Sequence, residues 1–205
     1  MNTVDAAAWD RRYSESARVW GDDPNIWVAT ELEGLTPGRA LDLGAGEGRH
    51  AIWLARHGWQ VQAVDFSAKG LETGRRHAEI EGVAHQIQWT VADASTIELP
   101  DRSFDLVLVA YLQLSESQLR TAVTEAAHAI APGGTFLLVN HDSANPEHGS
   151  GGPQNPQVLQ APGQVAGWLH KAGLDITAAE TRSRPVFGGL RPALDCVVLA
   201  TVPRA

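Results

Sequence analysis

The sequence predicts an α/β protein with an open, doubly wound sheet of seven strands and helices on both faces, in which the first five strands form parallel units and the last two form a hairpin. Three observations indicate this class. Strand-like apolar runs alternate with segments of helical period from residue 39 onward, as parallel strands joined by crossover helices require. A glycine-rich string, LDLGAGEG, occupies residues 41–48 at the first strand-to-helix junction. The last two strand-like runs are separated only by a turn, which predicts an antiparallel final strand.

Each element has a recognisable signal in the sequence. The strands are expected at residues 39–44, 60–65, 86–91, 104–110, 135–140, 174–184 and 193–202. The helices are expected at residues 47–57, 67–82, 115–130 and 164–172. Ser67 is a suitable N-cap, and Gly58 ends the first helix. The run FDLVLVA at 104–110 is nearly all apolar, which is typical of a central strand, and PGG at 132–134 predicts a tight turn.

A length of 205 residues favours a single domain. We expect a cap segment over 1–35, a cofactor-binding core over 36–140, a substrate-side loop over 141–163, and a helix with a β-hairpin over 164–205. The loop has four prolines and four glycines, which predicts a long connection without structure of its own. Loops of that length are often functional lids.

Composition narrows the function further. The chain is 43% hydrophobic and 20% charged, as in ordinary globular proteins. Its formal net charge of −8 disfavours a nucleic-acid partner, and its lone cysteine, Cys196, cannot form an intrachain disulfide. Because no apolar run is long enough to span a membrane and no leader pattern is visible, the sequence predicts a cytoplasmic protein without a membrane partner. No His/Cys cluster has zinc-ligand spacing, so no metal is expected.

The glycine string predicts a nucleotide-type ligand site. Its three alternating glycines permit a sharp turn at which a ligand can approach main-chain N–H groups. A dinucleotide fingerprint requires a third glycine three residues beyond Gly46, and Arg49 stands there instead. An NAD-linked oxidoreductase is therefore the weaker alternative.

Acidic residues follow three successive strands and strengthen the prediction. Asp65 ends the second strand 21 residues after Gly44, where a carboxylate suits the hydroxyls of a ribose. Asp93 and the Ala94 N–H follow the third strand and can read an adenine edge. With Asp42 on the first strand, these acids suit a ligand that has an ammonium group, a ribose and an adenine. Phe66 is either an adenine-stacking ring or a core residue.

These residues resemble the class I S-adenosylmethionine-dependent methyltransferases. The motifs of the resemblance are LDLGAGEG at 41–48, VDFS at 64–67, ADA at 92–94, FDLV at 104–107 and APGG at 131–134. The resemblance implies a Rossmann-like sheet with the strand order 3-2-1-4-5-7-6, S-adenosylmethionine as cofactor, S-adenosylhomocysteine as product, and Asp42 near the methionine end. The full predicted cofactor set is Asp42, Gly44, Ala45, Gly46, Gly48, Asp65, Phe66, Asp93, Ala94 and Ala110.

The opening of the chain indicates the acceptor class. WDRRY at 9–13 and WGDDPN at 20–25 are similar to the small-molecule branch that includes tellurite-resistance and thiopurine methyltransferases. We therefore expect a small-molecule acceptor, with Tyr13, Trp20 and His148 as substrate residues. His141 is the candidate general base and Tyr111 the candidate pocket residue beside the reacting groups. The acceptor atom stays open, as does the alternative of a cofactor-binding protein without transfer activity.

Overall fold

The computed structural model describes residues 6–15, 19, 21–186 and 191–204. Its seven strands form one sheet in the order β3-β2-β1-β4-β5-β7-β6, which confirms the predicted fold class and strand order. The strands are β1 Arg39–Leu43, β2 Gln60–Asp65, β3 Ile87–Val91, β4 Phe104–Ala110, β5 Ile130–His141, β6 Asp175–Arg184 and β7 Ala193–Thr201. The helices are α1 Ala6–Ser14, α2 Ile26–Leu32, α3 Arg49–Arg56, α4 Ala68–Ile80, α5 Glu116–His128, α6 Asn145–His148 and α7 Pro162–Lys171.

The backbone contacts divide the chain into two compact units, Met1–Ile97 and Glu98–Ala205. In the first unit, β2 pairs in parallel with both β1 and β3. The carboxyl ends of these three strands therefore share one edge, where the predicted acids lie. Ser67 caps α4 as predicted, because its side chain accepts a hydrogen bond from the Gly70 N–H at 3.0 Å.

In the second unit, β4 and β5 are parallel while β7 is antiparallel to both β5 and β6. Strand β4 is buried except at Asp105, as its apolar sequence predicts. Cys196 is also buried, among the apolar residues of β7.

The prediction of a separate turn at 132–134 is wrong. Those residues lie inside β5, whose pairing with β4 shifts between Phe104 and Leu106. The proline and glycines form an irregularity in a strand that continues past them, and the Gly133 N–H donates to the Val202 carbonyl at 2.9 Å. A bulge can therefore contain turn-forming residues without ending the strand.

The substrate-side loop also differs from its prediction, because it has structure of its own. It contains α6 and a 3₁₀ turn at Pro156–Val158, and Asn145 within it is fully buried. The Asn145 Oδ1 accepts from the Leu194 N–H at 2.7 Å, and its Nδ2 donates to the Gly151 carbonyl at 2.9 Å. One buried amide thus fixes a proline- and glycine-rich segment to β7, which composition alone did not indicate.

The indole of Trp89 on β3 explains why positions 48 and 74 are occupied by glycine. A Cβ at Gly74 of α4 would lie 2.6 Å from the Trp89 Cη2 and 3.0 Å from the Glu47 carbonyl oxygen, and a Cβ at Gly48 would also collide with the indole. Gly48 additionally has a φ of +71°, which disfavours any side chain. Both glycines therefore provide space for the indole.

We predict that Gly74→Ala destabilises the protein by about 1–3 kcal/mol, since the added methyl overpacks against Trp89. The matched control is Gly167→Ala in α7, where a Cβ would have nothing within 4 Å. That substitution should stabilise by about 1 kcal/mol, because alanine is the better helix former. Urea unfolding monitored by circular dichroism measures both, and equal effects of the two substitutions would contradict the packing argument.

Candidate functional site

The backbone amides of the glycine loop between β1 and α3 are hydrogen bonded, mostly to the end of β2. The N–H groups of Gly44 and Ala45 both donate to the Val64 carbonyl, at 2.8 and 2.9 Å. The Gly46 N–H donates to the Asp65 Oδ2 at 2.8 Å, and the Gly48 N–H donates to the Ala45 carbonyl at 2.8 Å. The amides of all four predicted loop residues are therefore already hydrogen bonded.

This finding corrects the expectation that these amides are available to a ligand. A dinucleotide site uses such amides to hold a pyrophosphate. Here the amides of Gly44, Ala45, Gly46 and Gly48 are occupied within the protein. The arrangement thus disfavours the NAD alternative independently of Arg49.

Asp65 joins three elements at the end of β2. Its Oδ2 accepts from Gly46 and its Oδ1 accepts from the Ser67 N–H at 2.8 Å. Burial raises the pKa of this carboxyl, although the two amide hydrogen bonds oppose the shift. Since each carboxylate oxygen can accept more than one hydrogen bond, Asp65 retains the capacity to accept from a ribose.

Asp42 is the most unusual group in the first unit. It is 1% exposed, and neither carboxylate oxygen has a hydrogen-bond partner among the described residues. Burial, reinforced by the Asp65 carboxylate, raises its pKa to about 7, while the nearby Ala51 amide and the Arg49 guanidinium act in the opposite direction. A buried carboxylate without partners is costly, and a cationic or hydrogen-bond-donating ligand group would relieve that cost.

The end of β3 is more open. Asp93 is exposed, and its Oδ1 accepts from both the N–H and the hydroxyl of Ser95, at 2.8 and 2.7 Å. Its Oδ2 has no hydrogen-bond partner among the described residues, so it can accept from a ligand. Ala94 is buried, and Phe66 is half-buried. Phe66 therefore keeps part of its ring accessible for a ligand, as the stacking alternative requires.

The N-terminal helix covers the glycine loop. Tyr13 is buried with its hydroxyl oxygen 2.6 Å from the place where a Gly46 Cβ would stand, and its ring stacks on Trp9 at 5.5 Å. Asp10 accepts from the Ser67 hydroxyl at 2.5 Å and from the Lys69 N–H at 3.2 Å. Tyr13 thus lies at the predicted cofactor loop, and its substrate role stays a prediction. Trp20 lies outside the described residues.

Glu47 and His50 anchor the N-terminal segment, a role that the sequence did not predict. Both carboxylate oxygens of the buried Glu47 accept from the Val19 N–H, at 3.1 and 2.9 Å. The buried His50 accepts from the Asn25 N–H through Nε2 at 3.3 Å. Burial and the neighbouring Arg49 hold the pKa of His50 well below its ordinary value, so its ring is neutral. His50 is therefore an anchor of the N-terminal segment, and its Nε2 is already occupied by the Asn25 N–H.

The second unit has its own polar cluster, consisting of Tyr111, His141, Arg184 and Asp195. The rings of Tyr111 and His141 are 4.7 Å apart, and the Arg184 guanidinium lies 5.8 Å from the Tyr111 ring centroid. Arg184 forms an ion pair with the fully buried Asp195 through contacts of 2.7 and 3.4 Å. The structure therefore places the two predicted catalytic residues together and adds a charged pair that the sequence did not reveal.

Tyr111 has a backbone φ of +54°, which is rare for a residue with a side chain. Hydrogen bonds on both sides stabilise this conformation. The Tyr111 N–H donates to the Val139 carbonyl at 2.8 Å, and the Leu112 N–H donates to the Asn140 Oδ1 at 3.1 Å. Strained residues held by their surroundings are common at functional sites. Ala110, just before it, is buried at the end of β4.

His141 is also suited to accept a proton. Burial lowers the pKa of its imidazole, with Asp195 acting in the opposite direction and Arg184 adding to the decrease. Its Nδ1 is enclosed without a hydrogen-bond partner among the described residues, near the space beside Gly152. His148, by contrast, is largely exposed at the end of α6, with its Nε2 3.7 Å from Glu147, and the structure does not bring it into this cluster.

Residues 40–134 match the family model described as a methyltransferase domain. This match identifies the matched part of the chain as a methyltransferase domain of the predicted class. This assignment confirms the predicted family and its cofactor.

Two curated relatives show the extent of the similarity. An uncharacterized methyltransferase, YcgJ, of Bacillus subtilis is 31% identical over 121 residues, which cover 59% of this chain and 47% of that protein. The ubiquinone/menaquinone biosynthesis C-methyltransferase UbiE of Dinoroseobacter shibae is 28% identical over 124 residues, covering 60% and 48%. The chain therefore spans about half the length of the curated relatives it matches.

A solved structure extends the likeness to the fold. TehB from Haemophilus influenzae superposes with a TM-score of 0.72 at 17% identity, over 87% of this chain and 62% of that one. At this identity the likeness concerns the fold alone. Among the described residues, no helix is both long and apolar enough to cross a membrane, and no group of three or more His, Cys, Asp or Glu side chains has the arrangement of a metal site.

We predict that Asp42→Asn removes a pH-dependent penalty on folding. Because the folded-state pKa of Asp42 is about 7 against an ordinary value of 3.8, the folded protein holds this proton more tightly. The wild type should therefore lose stability as the pH rises from 4 to 7, by up to about 4 kcal/mol at 1.36 kcal/mol per pKa unit.

Urea unfolding at pH 4.5 and pH 8 checks this prediction. The free energy of unfolding of Asp42→Asn, relative to wild type, should be larger at pH 8 than at pH 4.5. Asp101 is exposed, and Asp101→Asn serves as the control. Its free energy of unfolding should differ from that of the wild type by the same amount at both pH values. A pH-independent effect of Asp42→Asn would contradict burial of an ionisable carboxyl.

Proposed function

We propose that this chain is an S-adenosylmethionine-dependent methyltransferase that transfers a methyl group to a small-molecule acceptor. The observation that supports it most directly is the fully buried and unpartnered carboxylate of Asp42, near two further strand-end carboxylates. When bound, S-adenosylmethionine supplies an electrophilic methyl group on its sulfonium sulfur. The residues present fit such a ligand, because they offer hydrogen-bond acceptors to its ammonium, ribose and adenine groups.

In this proposal the three carboxylates have different partners. Asp42 accepts a hydrogen bond from the ammonium group of the methionine portion, which gives the buried carboxylate a partner. Asp65, already fixed by Gly46 and Ser67, accepts from the ribose hydroxyls. Asp93 accepts from the adenine amine through Oδ2, and Phe66 offers its accessible ring to the base. The remaining members of the predicted cofactor set contribute shape and apolar surface: Gly44, Ala45, Gly46, Gly48, Ala94 and Ala110.

His141 is the proposed general base and Tyr111 its neighbour in the acceptor pocket. A neutral imidazole can take a proton from a hydroxyl or thiol acceptor as that group attacks, and from an ammonium acceptor before it attacks, because an ammonium nitrogen has no free electron pair. The proton would then reside on the His141 ring. Positioning accounts for the remaining acceleration, since alignment of the reacting groups can lower the barrier by several kcal/mol.

The small-molecule preference is supported by two observations. The net charge of −8 opposes the polyanionic backbone of a nucleic acid. One relative is named for methylation in quinone biosynthesis, which is a small-molecule reaction. We propose a cytoplasmic location on the same sequence grounds as before, with Tyr13 and His148 as further acceptor-side candidates.

Calorimetric titration tests the cofactor assignment. S-adenosylmethionine and S-adenosylhomocysteine should bind, and NAD should not, because the loop amides that would hold a pyrophosphate are occupied. Tight NAD binding would contradict the proposal. Incubation with a panel of hydroxyl, thiol, amine and carbon acceptors then distinguishes an enzyme from a protein that binds the cofactor without methyl transfer.

We predict that Asp93→Ala lowers the affinity for S-adenosylhomocysteine about tenfold, since it removes one charged hydrogen bond worth roughly 1.5–3 kcal/mol before compensation by water. The substitution also removes the two hydrogen bonds from Ser95, so the free energy of unfolding should fall by about 1 kcal/mol, which leaves the protein folded during the titration. Glu98→Ala, an exposed acid five residues further on, is the matched control and should leave affinity unchanged. Calorimetry measures both variants, and wild-type affinity in Asp93→Ala would refute the adenine role.

A further inference from the structure

We propose that Arg184 and Asp195 are positioning residues that together fix Tyr111, and that Arg184, by pairing with Asp195, prevents this carboxylate from holding a proton on the facing His141 ring, so that the ring can accept one. The inference rests on the proposed function in one respect, namely that His141 is the base. The geometry that supports it lies entirely within the second unit. The ion pair of Arg184 and Asp195 is not needed for the strands to pair, because the backbone hydrogen bonds of the strands do not involve these side chains.

The register of the sheet explains why these residues meet. His141 at the end of β5 lies directly opposite Asp195 in the antiparallel β5·β7 pair, so their side chains share one face. Arg184 ends β6 opposite Ala193 and is therefore a diagonal neighbour of Asp195 on the same face. The aspartate lies between the imidazole on one strand and the guanidinium on another.

Asp195 interacts with Arg184 although it lies opposite His141. Its Oδ2 is 2.7 Å from the Arg184 Nε, and its Oδ1 is 3.4 Å from Nη2. A fully buried carboxylate without a cation would be very unfavourable, and a two-point contact with arginine compensates most of that cost. A carboxylate bound in this way exerts only a reduced attraction on a proton on the facing imidazole.

Tyr111 is held by the same two residues. Burial, together with the negative charge of Asp195, raises the pKa of its phenol, so the hydroxyl keeps its proton near neutral pH. Both Asp195 and Arg184 interact with this hydroxyl. The Tyr111 ring lies 5.8 Å from the Arg184 guanidinium and 4.7 Å from the His141 imidazole ring. Tyr111 therefore acts as a fixed wall and hydrogen-bond donor and not as a proton acceptor.

The charges around His141 determine its protonation. The facing groups are Asp195 on β7, Arg184 on β6 and the neutral Tyr111 after β4, with Asp142 adjacent in the chain. Asp142 accepts from the Thr181 hydroxyl at 2.7 Å and the Ala144 N–H at 2.8 Å. Arg182, opposite Asp195 in the β6·β7 register, contacts Glu180 at 2.9 Å. Removal of the Arg184 charge would leave Asp195 uncompensated opposite the imidazole and favour the imidazolium.

The test is an NMR titration of the His141 ring in the full-length, unliganded protein with isotopically labelled histidine. His141→Gln assigns the resonance. Arg184→Gln should raise the His141 pKa by about one unit, as an unscreened nearby carboxylate does. Asp195→Asn should lower it. Arg184→Lys keeps the positive charge, so the His141 pKa should stay near the wild-type value. Arg191 is exposed and donates to the Glu147 carbonyl; the matched control Arg191→Gln should leave the His141 pKa unchanged.

A double variant keeps the test informative if either single variant fails to fold. Arg184→Gln combined with Asp195→Asn removes both charges of the pair and should return the His141 pKa toward the wild-type value. An unchanged His141 pKa in Asp195→Asn, or equal values in Arg184→Gln and Arg184→Lys, would overturn the proposal. Because the titration needs no cofactor or acceptor, this outcome is separate from failure of the proposed function, in which His141→Gln would retain full methyl transfer or S-adenosylmethionine would not bind.

Discussion

The Asp65 carboxylate is the constraint on which the rest of the first unit depends. One oxygen receives the Gly46 amide and the other the Ser67 amide, so the end of β2 fixes both the glycine loop and the start of α4. Asp10 of α1 joins the same junction through the Ser67 hydroxyl and the Lys69 amide. A small number of charge-assisted hydrogen bonds thus determines the shape of the glycine loop, the position of α4 and the place where the N-terminal segment packs.

Buried ionisable groups have contrasting environments in the two units. Asp42 is buried without a partner and keeps a raised pKa, whereas Asp195 is buried with Arg184 bound at two points. The first arrangement is unfavourable for the protein alone and becomes favourable when a ligand donates to the carboxylate. The second is satisfied within the protein and can therefore position its neighbours permanently. We propose that this difference separates a ligand-binding acid, Asp42, from a positioning acid, Asp195, although the two side chains are chemically identical.

Glycine has two distinct roles here. At Gly48 and Gly74 the missing Cβ makes room for the indole of Trp89, and at Gly46 it makes room for the Tyr13 hydroxyl. The expectation that the loop exposes its amides to a ligand was reasonable for any glycine-rich strand-to-helix turn. It was wrong because the Val64 carbonyl and the Asp65 carboxylate use those amides first, and nothing in the spacing of the glycines distinguishes an occupied amide from an available one.

The sequence by itself determined the alternation of strands and helices, the antiparallel final strand and the placement of acids after β1, β2 and β3, since all of these follow from local periodicity and chain order. It also placed Tyr111 and His141 after adjacent strands. Only the tertiary structure decided which polar groups have partners. Arg184 and Asp195 come to His141 through strand register, and Asn145 reaches Leu194 across 49 residues. Hydrogen-bond satisfaction depends on such distant contacts, and a local sequence pattern contains no information about them.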